Sequence, residues 1–154
     1  MAELKSRLRA DLTGAMKAQD KLRTATLRML LAAIQGEEVS GKQARELSDD
    51  EVLKVLAREA RKRAEAAEIY TENGRGELAA EEHAEARVID EYLPAPLTEA
   101  ELADVVDTAL AQVAEDLGER PGQKQMGLVM KAATTIAAGK ADGARLAAAV
   151  RERL

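Results

Sequence analysis

The sequence predicts an all-α protein made of two helical blocks. Apolar residues recur at spacings of three and four over most of the chain, and no stretch shows the alternation typical of a strand. Two of the three prolines, Pro94 and Pro96, lie together near the middle, where they should end any helix. We therefore expect an N-terminal four-helix block over residues 1–92, a connector over 93–97 and a C-terminal three-helix block over 98–154.

The first block should open with two helices joined by a short turn at Asp20-Lys21. The first, over about residues 2–19, has one apolar stripe, formed by Leu4, Leu8, Leu12, Ala15 and Met16. The second, ending at about Val39, has a wider apolar face, formed by Leu22, Thr26, Leu27, Met29, Leu30, Leu31, Ala33 and Ile34. Helices joined by so short a turn should pack antiparallel.

A capping box marks the start of the third helix. Ser48 stands three residues before Glu51, so each side chain can bond the other's backbone amide. This helix should run to about Glu72, where Asn73-Gly74 permits a left-handed stop. Its inward positions are Val52, Val55, Leu56, Ala60, Arg63 and Ala67, with Tyr70 near the end. A fourth helix is expected over about residues 77–91, with Leu78, Ala86, Val88 and Ile89 inward.

The second block begins with another capping box, Thr98 to Glu101. The helix it opens should end at Gly118 and bury Leu102, Val105, Val106, Ala109, Leu110, Val113 and Leu117. A second helix is expected over about residues 125–138, with Met126, Val129, Met130, Ala133 and Ile136 inward. Asp142 should cap the last helix, which carries Leu146, Ala149, Val150 and Leu154.

Composition excludes several function classes. The 154 residues contain no cysteine, so disulfides, thiolate nucleophiles and cysteine-ligated metals are excluded. Phe and Trp are absent, which argues against stacking platforms for single-stranded bases. No apolar run approaches the roughly 20 residues of a membrane span, and no signal-peptide core is evident, so we expect no membrane and a cytosolic location.

No catalytic or metal constellation emerges from the residues. His83 is the only histidine, has no ligand one turn away and is expected to face solvent. Asp104, Asp107, Glu115 and Asp116 lack the alternation of a calcium loop and read better as a solvated face than as a cation site. We predict no catalytic residue, no metal and no cofactor. Catalysis of amide transfer by the chain alone is the least favoured hypothesis.

Charge is distributed unevenly along the chain. Residues 1–35 hold seven basic and three acidic side chains, residues 76–120 hold two and thirteen, and residues 121–154 hold six and two. In one interpretation, the charged side chains form solvated helix faces, and the basic ends of the chain attract its acidic middle. In the other, the basic ends bind an external anion such as RNA. On the second interpretation, the candidate phosphate-contacting residues are Lys17, Lys21, Arg23, Arg28, Lys124, Lys131, Lys140 and Arg145.

Short motifs spread over the chain resemble the GatB/YqeY family, specifically its stand-alone YqeY-like proteins. The residues that carry the resemblance are Ala15-Met16-Lys17-Ala18, Asp20-Lys21, Leu27-Arg28-Met29-Leu30, Leu47-Ser48-Asp49-Asp50-Glu51-Val52, Gly74-Arg75 with Leu78, Glu91-Tyr92-Leu93-Pro94, Met126-Gly127, Val129-Met130, and Gly139 with Ala141-Asp142-Gly143. Each is weak alone, but their order and spacing are specific. These proteins are similar to the tail domain of the aspartyl/glutamyl-tRNA amidotransferase B subunit.

The resemblance implies a helical accessory module that engages tRNA and has no catalysis of its own, although such proteins often carry a carbon–nitrogen ligase label. Expected partners are tRNA or a protein of the translation or aminoacylation machinery. The acidic stretch 76–120 departs from this expectation, because it would repel RNA and confine an RNA surface to the two ends. The alternative is a protein–protein adaptor that docks through the acidic helices 76–116 or the wide apolar second helix.

Overall fold

A computed structural model describes residues 2–154 and confirms the all-α class. No strand occurs among these residues. The helices are α1 Glu3–Lys17, α2 Lys21–Glu38, α3 Asp49–Glu72, α4 Gly76–Asp90, α5 Glu99–Leu117, α6 Met126–Ala137 and α7 Gly143–Arg153, with a short 3₁₀ helix at Gln123–Gln125 before α6. No helix in the described part of the chain combines the length and the apolar character needed to cross a membrane.

The chain divides into two compact units after Leu93. The first contains α1–α4 and the second contains α5–α7. Leu93 packs against the core of the first unit, whereas Leu97 belongs to the core of the second. The segment with Pro94 and Pro96 therefore leaves one hydrophobic core and enters another within a few residues.

The first unit is organised around an antiparallel α1–α2 pair. Lys5 of α1 contacts Glu38 near the end of α2, and Met16, near the end of α1, contacts Arg28 of α2, so the two helices run in opposite directions. Aliphatic side chains fill the space between these helices and α3 and α4. The fully buried ones include Leu8, Leu27, Leu30, Ile34, Val52, Leu56 and Ile89.

This unit also buries charged groups that the apolar pattern did not predict, and it partly buries Arg63, which was expected inward. Lys5 Nζ lies 2.7 Å from Glu38 Oε1, and both side chains are about nine-tenths buried. Arg63, expected inward on α3, lies between Glu59 of its own helix at 3.3 Å and Glu85 of α4 at 3.4 Å. A buried charge is costly without a partner, so these pairs also restrict how the helices can pack.

Both predicted capping boxes are confirmed, whereas three predicted core residues are exposed. Ser48 with Glu51, and Thr98 with Glu101, make the reciprocal bonds to backbone amides. Met16, Leu22 and Leu117 were expected inward, but they are 49%, 41% and 40% exposed. All three lie in the first or last turn of a helix.

Candidate nucleic-acid interface

Four of the predicted phosphate contacts lie on α1 and α2. Lys17 is in the last turn of α1 and Lys21 is the first residue of α2, so both flank the turn between these helices. Lys17, Lys21 and Arg28 are exposed. None of these three forms a salt bridge with another described residue; Arg28 instead donates to Met16 Sδ at 3.7 Å. Their charges are available to an external anion.

Arg23 forms an ion pair within the first unit. Its Nη2 donates to both carboxylate oxygens of Glu91, at 2.6 and 2.9 Å. The hydrogen bond that Arg23 donates to Glu91 is the main reason that the pKa of Arg23 is raised above its ordinary value. Asp20, the N-cap of α2, lies 3.9 Å from the same guanidinium. Arg23 therefore links α2 to the end of α4, and a phosphate contact would compete with this ion pair.

The other four candidates lie in the second unit. Three of them are lysines in or near α6 that form no salt bridge with another described residue. Lys124 in the 3₁₀ helix, Lys131 on α6 and Lys140 after α6 are exposed, and none forms a salt bridge with another described residue. Lys140 does exert an electrostatic effect on Glu101, whose pKa is lowered mainly by its hydrogen bond from Thr98. Between Arg120 and Asp142 the sequence contains these three lysines and no acidic residue.

The outer face of α6 combines charge with an exposed aliphatic residue. Leu128, Lys131 and Thr135 are spaced by three and four residues on α6, which places them on one side of that helix, and Lys124 lies in the 3₁₀ helix just before it. Leu128 is half exposed on this side of α6, about one turn before Lys131. An added Cβ at Gly127 would meet no atom within 4 Å, so this face is open to a close approach. We did not predict that Leu128 belongs to this surface, because a single leucine carries no signal of exposure.

Arg145 is paired within its unit, as Arg23 is. Its Nη2 lies 2.9 Å from Glu99 Oε1, which links α7 to the start of α5. Its backbone amide donates to Asp142, the N-cap of α7. The cap was expected from the sequence, whereas the partner Glu99 lies 46 residues away and was not.

The other side chains considered for catalysis or metal binding do not come together in a site. His83 is exposed, as expected. Within residues 2–154, no group of three or more His, Asp or Glu side chains is arranged to hold a metal ion. One polar cluster was not predicted from the sequence: Tyr92, Asp11 and Arg7 meet around the end of α4. The sequence marked Tyr92 only as part of a family motif, and its partners lie more than 80 residues earlier.

Two curated proteins are similar to this chain. One, from Meyerozyma guilliermondii, is called "Altered inheritance of mitochondria protein 41, mitochondrial"; it is 32% identical over 124 residues, which are 79% of this chain and 64% of that protein. The other, from Vanderwaltozyma polyspora, has the same name and is 28% identical over 120 residues, 77% of this chain and 63% of that protein. The alignment thus spans less than two thirds of either relative.

These names contradict one expectation from the sequence. We expected a cytosolic location, but both relatives are named as mitochondrial proteins, so that expectation is wrong. The expectation rested on the absence of a membrane-spanning run and of a signal-peptide core, and neither observation distinguishes the cytosol from mitochondria.

The model of one protein family, described as "Yqey-like protein", matches residues 5–154. The match covers nearly the whole chain, including both helical units and the residues between them. The chain therefore belongs to the YqeY-like protein family.

Proposed function

We propose that the protein is a non-catalytic accessory module that engages structured RNA, with tRNA as the ligand suggested by the resemblance to the amidotransferase tail domain. The observation that carries the proposal is the α6 region. It presents Lys124, Lys131 and Lys140 without a salt bridge to any described residue, in a stretch that contains no acid. Uncompensated lysines on an open helix face favour contact with a phosphate backbone.

The recognition should depend on backbone shape and not on base identity. Both tyrosines lie in the first unit, and one of them, Tyr92, is buried, so aromatic stacking of splayed bases has no platform on α6. Lysine is a point charge that contacts phosphate without reading sequence. We therefore expect similar affinity for many tRNAs and a strong dependence on salt.

The catalytic steps that a carbon–nitrogen ligase label describes would belong to other subunits of a complex. The setting we propose follows the names of the relatives and is mitochondrial. Arg23 and Arg145 remain in the proposed contact set, but each must leave Glu91 or Glu99 to reach phosphate. Their contribution should therefore be smaller than that of the free lysines.

The test is a filter-binding titration of the purified chain against total tRNA at low and at moderate salt. Reversing Lys131 and Lys140 to Glu should weaken binding to all tRNAs alike and reduce the slope of log affinity against log salt by about 2. Lys54→Glu, on an exposed position of α3, is the matched control and should keep most of the affinity. Equal affinities of the double variant and the wild-type protein would exclude α6 as the contact surface.

A specific feature of the first unit supports a second function, the protein–protein adaptor. The wide apolar face predicted for α2 is not entirely buried: Leu31 is partly exposed, and Ala32 beside it is exposed. Together with α1, this part of α2 lines a surface groove.

A further inference from the structure

A groove of about 400 Å³ lies along the surface between α1 and α2. Its lining includes Arg9 and Leu12 from α1, and Arg28, Leu31, Ala32 and the polar Gln35 from α2. Residues three and four apart lie on one face of a helix, so each helix presents one stripe to the groove. A groove between two antiparallel helices is the position in which a third helix packs, with its side-chain ridge between theirs.

The floor of the groove is apolar. Leu12 and Leu31 are partly exposed and pack against the core of the first unit, which fixes their positions. Ala32 contributes only a methyl group, so a partner backbone can come close at this point. Met16, one turn beyond Leu12 on α1, is half exposed and extends apolar surface towards the α1–α2 turn. Methionine adapts its shape to a partner more readily than branched side chains do.

The rims of the groove carry a net positive charge. Arg9 and Arg28 are exposed, and neither makes a salt bridge with another described residue, although Arg9 does act electrostatically on Glu38. The acidic lining residue Glu38 is already bonded to Lys5 at 2.7 Å and also accepts the amide of Leu47. Among the charged lining residues, three positive charges thus face one negative charge, and the excess lies on the two arginines.

We propose that the α1–α2 groove binds an amphipathic α-helix of a partner protein, with aliphatic residues along one face and acidic residues beside that face. An apolar floor between cationic rims is complementary to such a helix, because leucines would cover Leu12 and Leu31 while carboxylates reach Arg9 and Arg28. RNA fits less well, because phosphates gain nothing from a leucine floor and the groove lacks an aromatic residue for a base. The inference is independent of the RNA proposal, although Arg28 belongs to both surfaces.

The experiment uses the full chain and a fluorescent synthetic peptide of about 18 residues, enough for five helical turns. The peptide carries leucines at i, i+3, i+4 and i+7 spacing with glutamates beside them. A second peptide has lysine in place of each glutamate, and a third has the first composition in scrambled order. We expect fluorescence anisotropy to show binding of the glutamate peptide, and binding at least about tenfold weaker for the other two.

Two kinds of variant measure separately how the floor and the rims of the groove contribute to peptide binding. Ala32→Gln places a neutral, longer side chain on the floor and should weaken peptide binding about tenfold without lowering thermal stability, because position 32 is exposed. Ala80→Gln, at an exposed position of α4, is its matched control and should bind the peptide as the wild-type protein does. Arg9→Gln and Arg28→Gln should each weaken binding and reduce its salt dependence.

Three results would overturn the groove proposal: no binding of the glutamate peptide, equal binding of the glutamate and lysine peptides, or no effect of Ala32→Gln. Filter binding of tRNA with the same variant separates the two proposals. Ala32→Gln adds no charge and should leave tRNA affinity unchanged. If it weakens tRNA binding while the peptide fails to bind, the groove belongs to the RNA surface and the helix-binding proposal is wrong.

Discussion

The phenol group of Tyr92 donates a 2.5 Å hydrogen bond to Oδ2 of Asp11, a residue 81 positions earlier in the chain. The Tyr92 ring is buried, and the guanidinium of Arg7 lies 4.8 Å from its centroid. Burial, followed by the bond to Asp11, raises the pKa of Tyr92 to about 12, so the phenol stays a donor at any physiological pH. Since Glu91 binds Arg23, the end of α4 is fastened to both α1 and α2.

Replacing Tyr92 by Phe tests this attachment. The ring and its contact with Arg7 are kept, and only the hydrogen bond to Asp11 is lost. We expect a loss of about 1.5 kcal/mol in the free energy of unfolding of the first unit, the low end for a hydrogen bond to a charged group, because the carboxylate of Asp11 can still reach water. Urea unfolding followed by the fluorescence of Tyr70 measures it, because Tyr70 lies on α3 of the same unit.

Tyr70→Phe is the matched control for that substitution. The phenol of Tyr70 makes no hydrogen bond to another described residue, so its loss should change the free energy of unfolding by less than about 0.5 kcal/mol. Tyr92 then serves as the fluorescent probe. Equal effects of the two substitutions would show that the bond between Tyr92 and Asp11 adds nothing to the stability of the first unit.

The buried pair of Lys5 and Glu38 should make the first unit sensitive to acid. The hydrogen bond from Lys5 is the main cause that holds the pKa of Glu38 below its ordinary value of 4.5. A carboxylate with a lowered folded pKa stabilises the fold above its unfolded pKa, and this stabilisation is lost as the pH falls through the folded value. We expect wild-type stability to drop below about pH 4.5, and Glu38→Gln to lack that part of the drop.

At neutral pH, Glu38→Gln should lower the free energy of unfolding by about 3 kcal/mol, because it leaves the ammonium of Lys5 buried without its counter-charge. Glu37→Gln is the matched control: the neighbouring carboxylate pairs with Arg58 at 3.6 Å on the surface, so its loss should cost less than about 1 kcal/mol. Urea titrations of both variants at several pH values separate the two. A pH profile of Glu38→Gln parallel to that of the wild-type protein would contradict the assignment.

The capping box of α5 provides a test of whether the two units unfold independently, which we propose from their separate cores. Thr98 Oγ1 accepts the amide of Glu101 at 3.1 Å, and Thr98→Ala removes this bond. The substitution should destabilise the second unit by about 1 kcal/mol and speed amide hydrogen exchange there about fivefold. Amides of α1–α4 should be unchanged. Ser48→Ala is the matched control and should show the reverse pattern.

Local signals in the sequence were sufficient for the fold class and for most helix ends. Ser48 with Glu51, and Thr98 with Glu101, act over three residues, so their geometry follows from the sequence alone. The apolar stripes also identified most of the core. They failed at Met16, because periodicity does not show where a neighbouring helix stops covering a stripe.

The candidate site was harder to predict because its character depends on distant partners. The clustering of basic residues in the sequence identified the candidates. It did not show which of them form ion pairs with acidic residues of the protein and which do not. Arg23 meets Glu91 across 68 positions and Arg145 meets Glu99 across 46, and neither pairing leaves a local pattern. The groove between α1 and α2 could not be predicted from the sequence either, because it depends on the relative positions of the side-chain stripes of these two helices.

Leu97 lies in the second unit, which begins at Pro94, and its removal should show how much it contributes to the stability of that unit. The side chain is buried in the core of that unit, and its backbone amide donates to the carbonyl of Lys140 at 2.9 Å. A fragment of residues 94–154 should therefore fold alone, with a helical circular dichroism spectrum and a cooperative thermal transition. In that fragment, Leu97→Ala should lower the free energy of unfolding by about 2 kcal/mol, the cost of deleting a buried leucine. Leu128→Ala, at an exposed position of α6, should cost far less. If a fragment of residues 98–154 proves as stable as residues 94–154, then Leu97 is part of the connector and the second unit begins at Thr98.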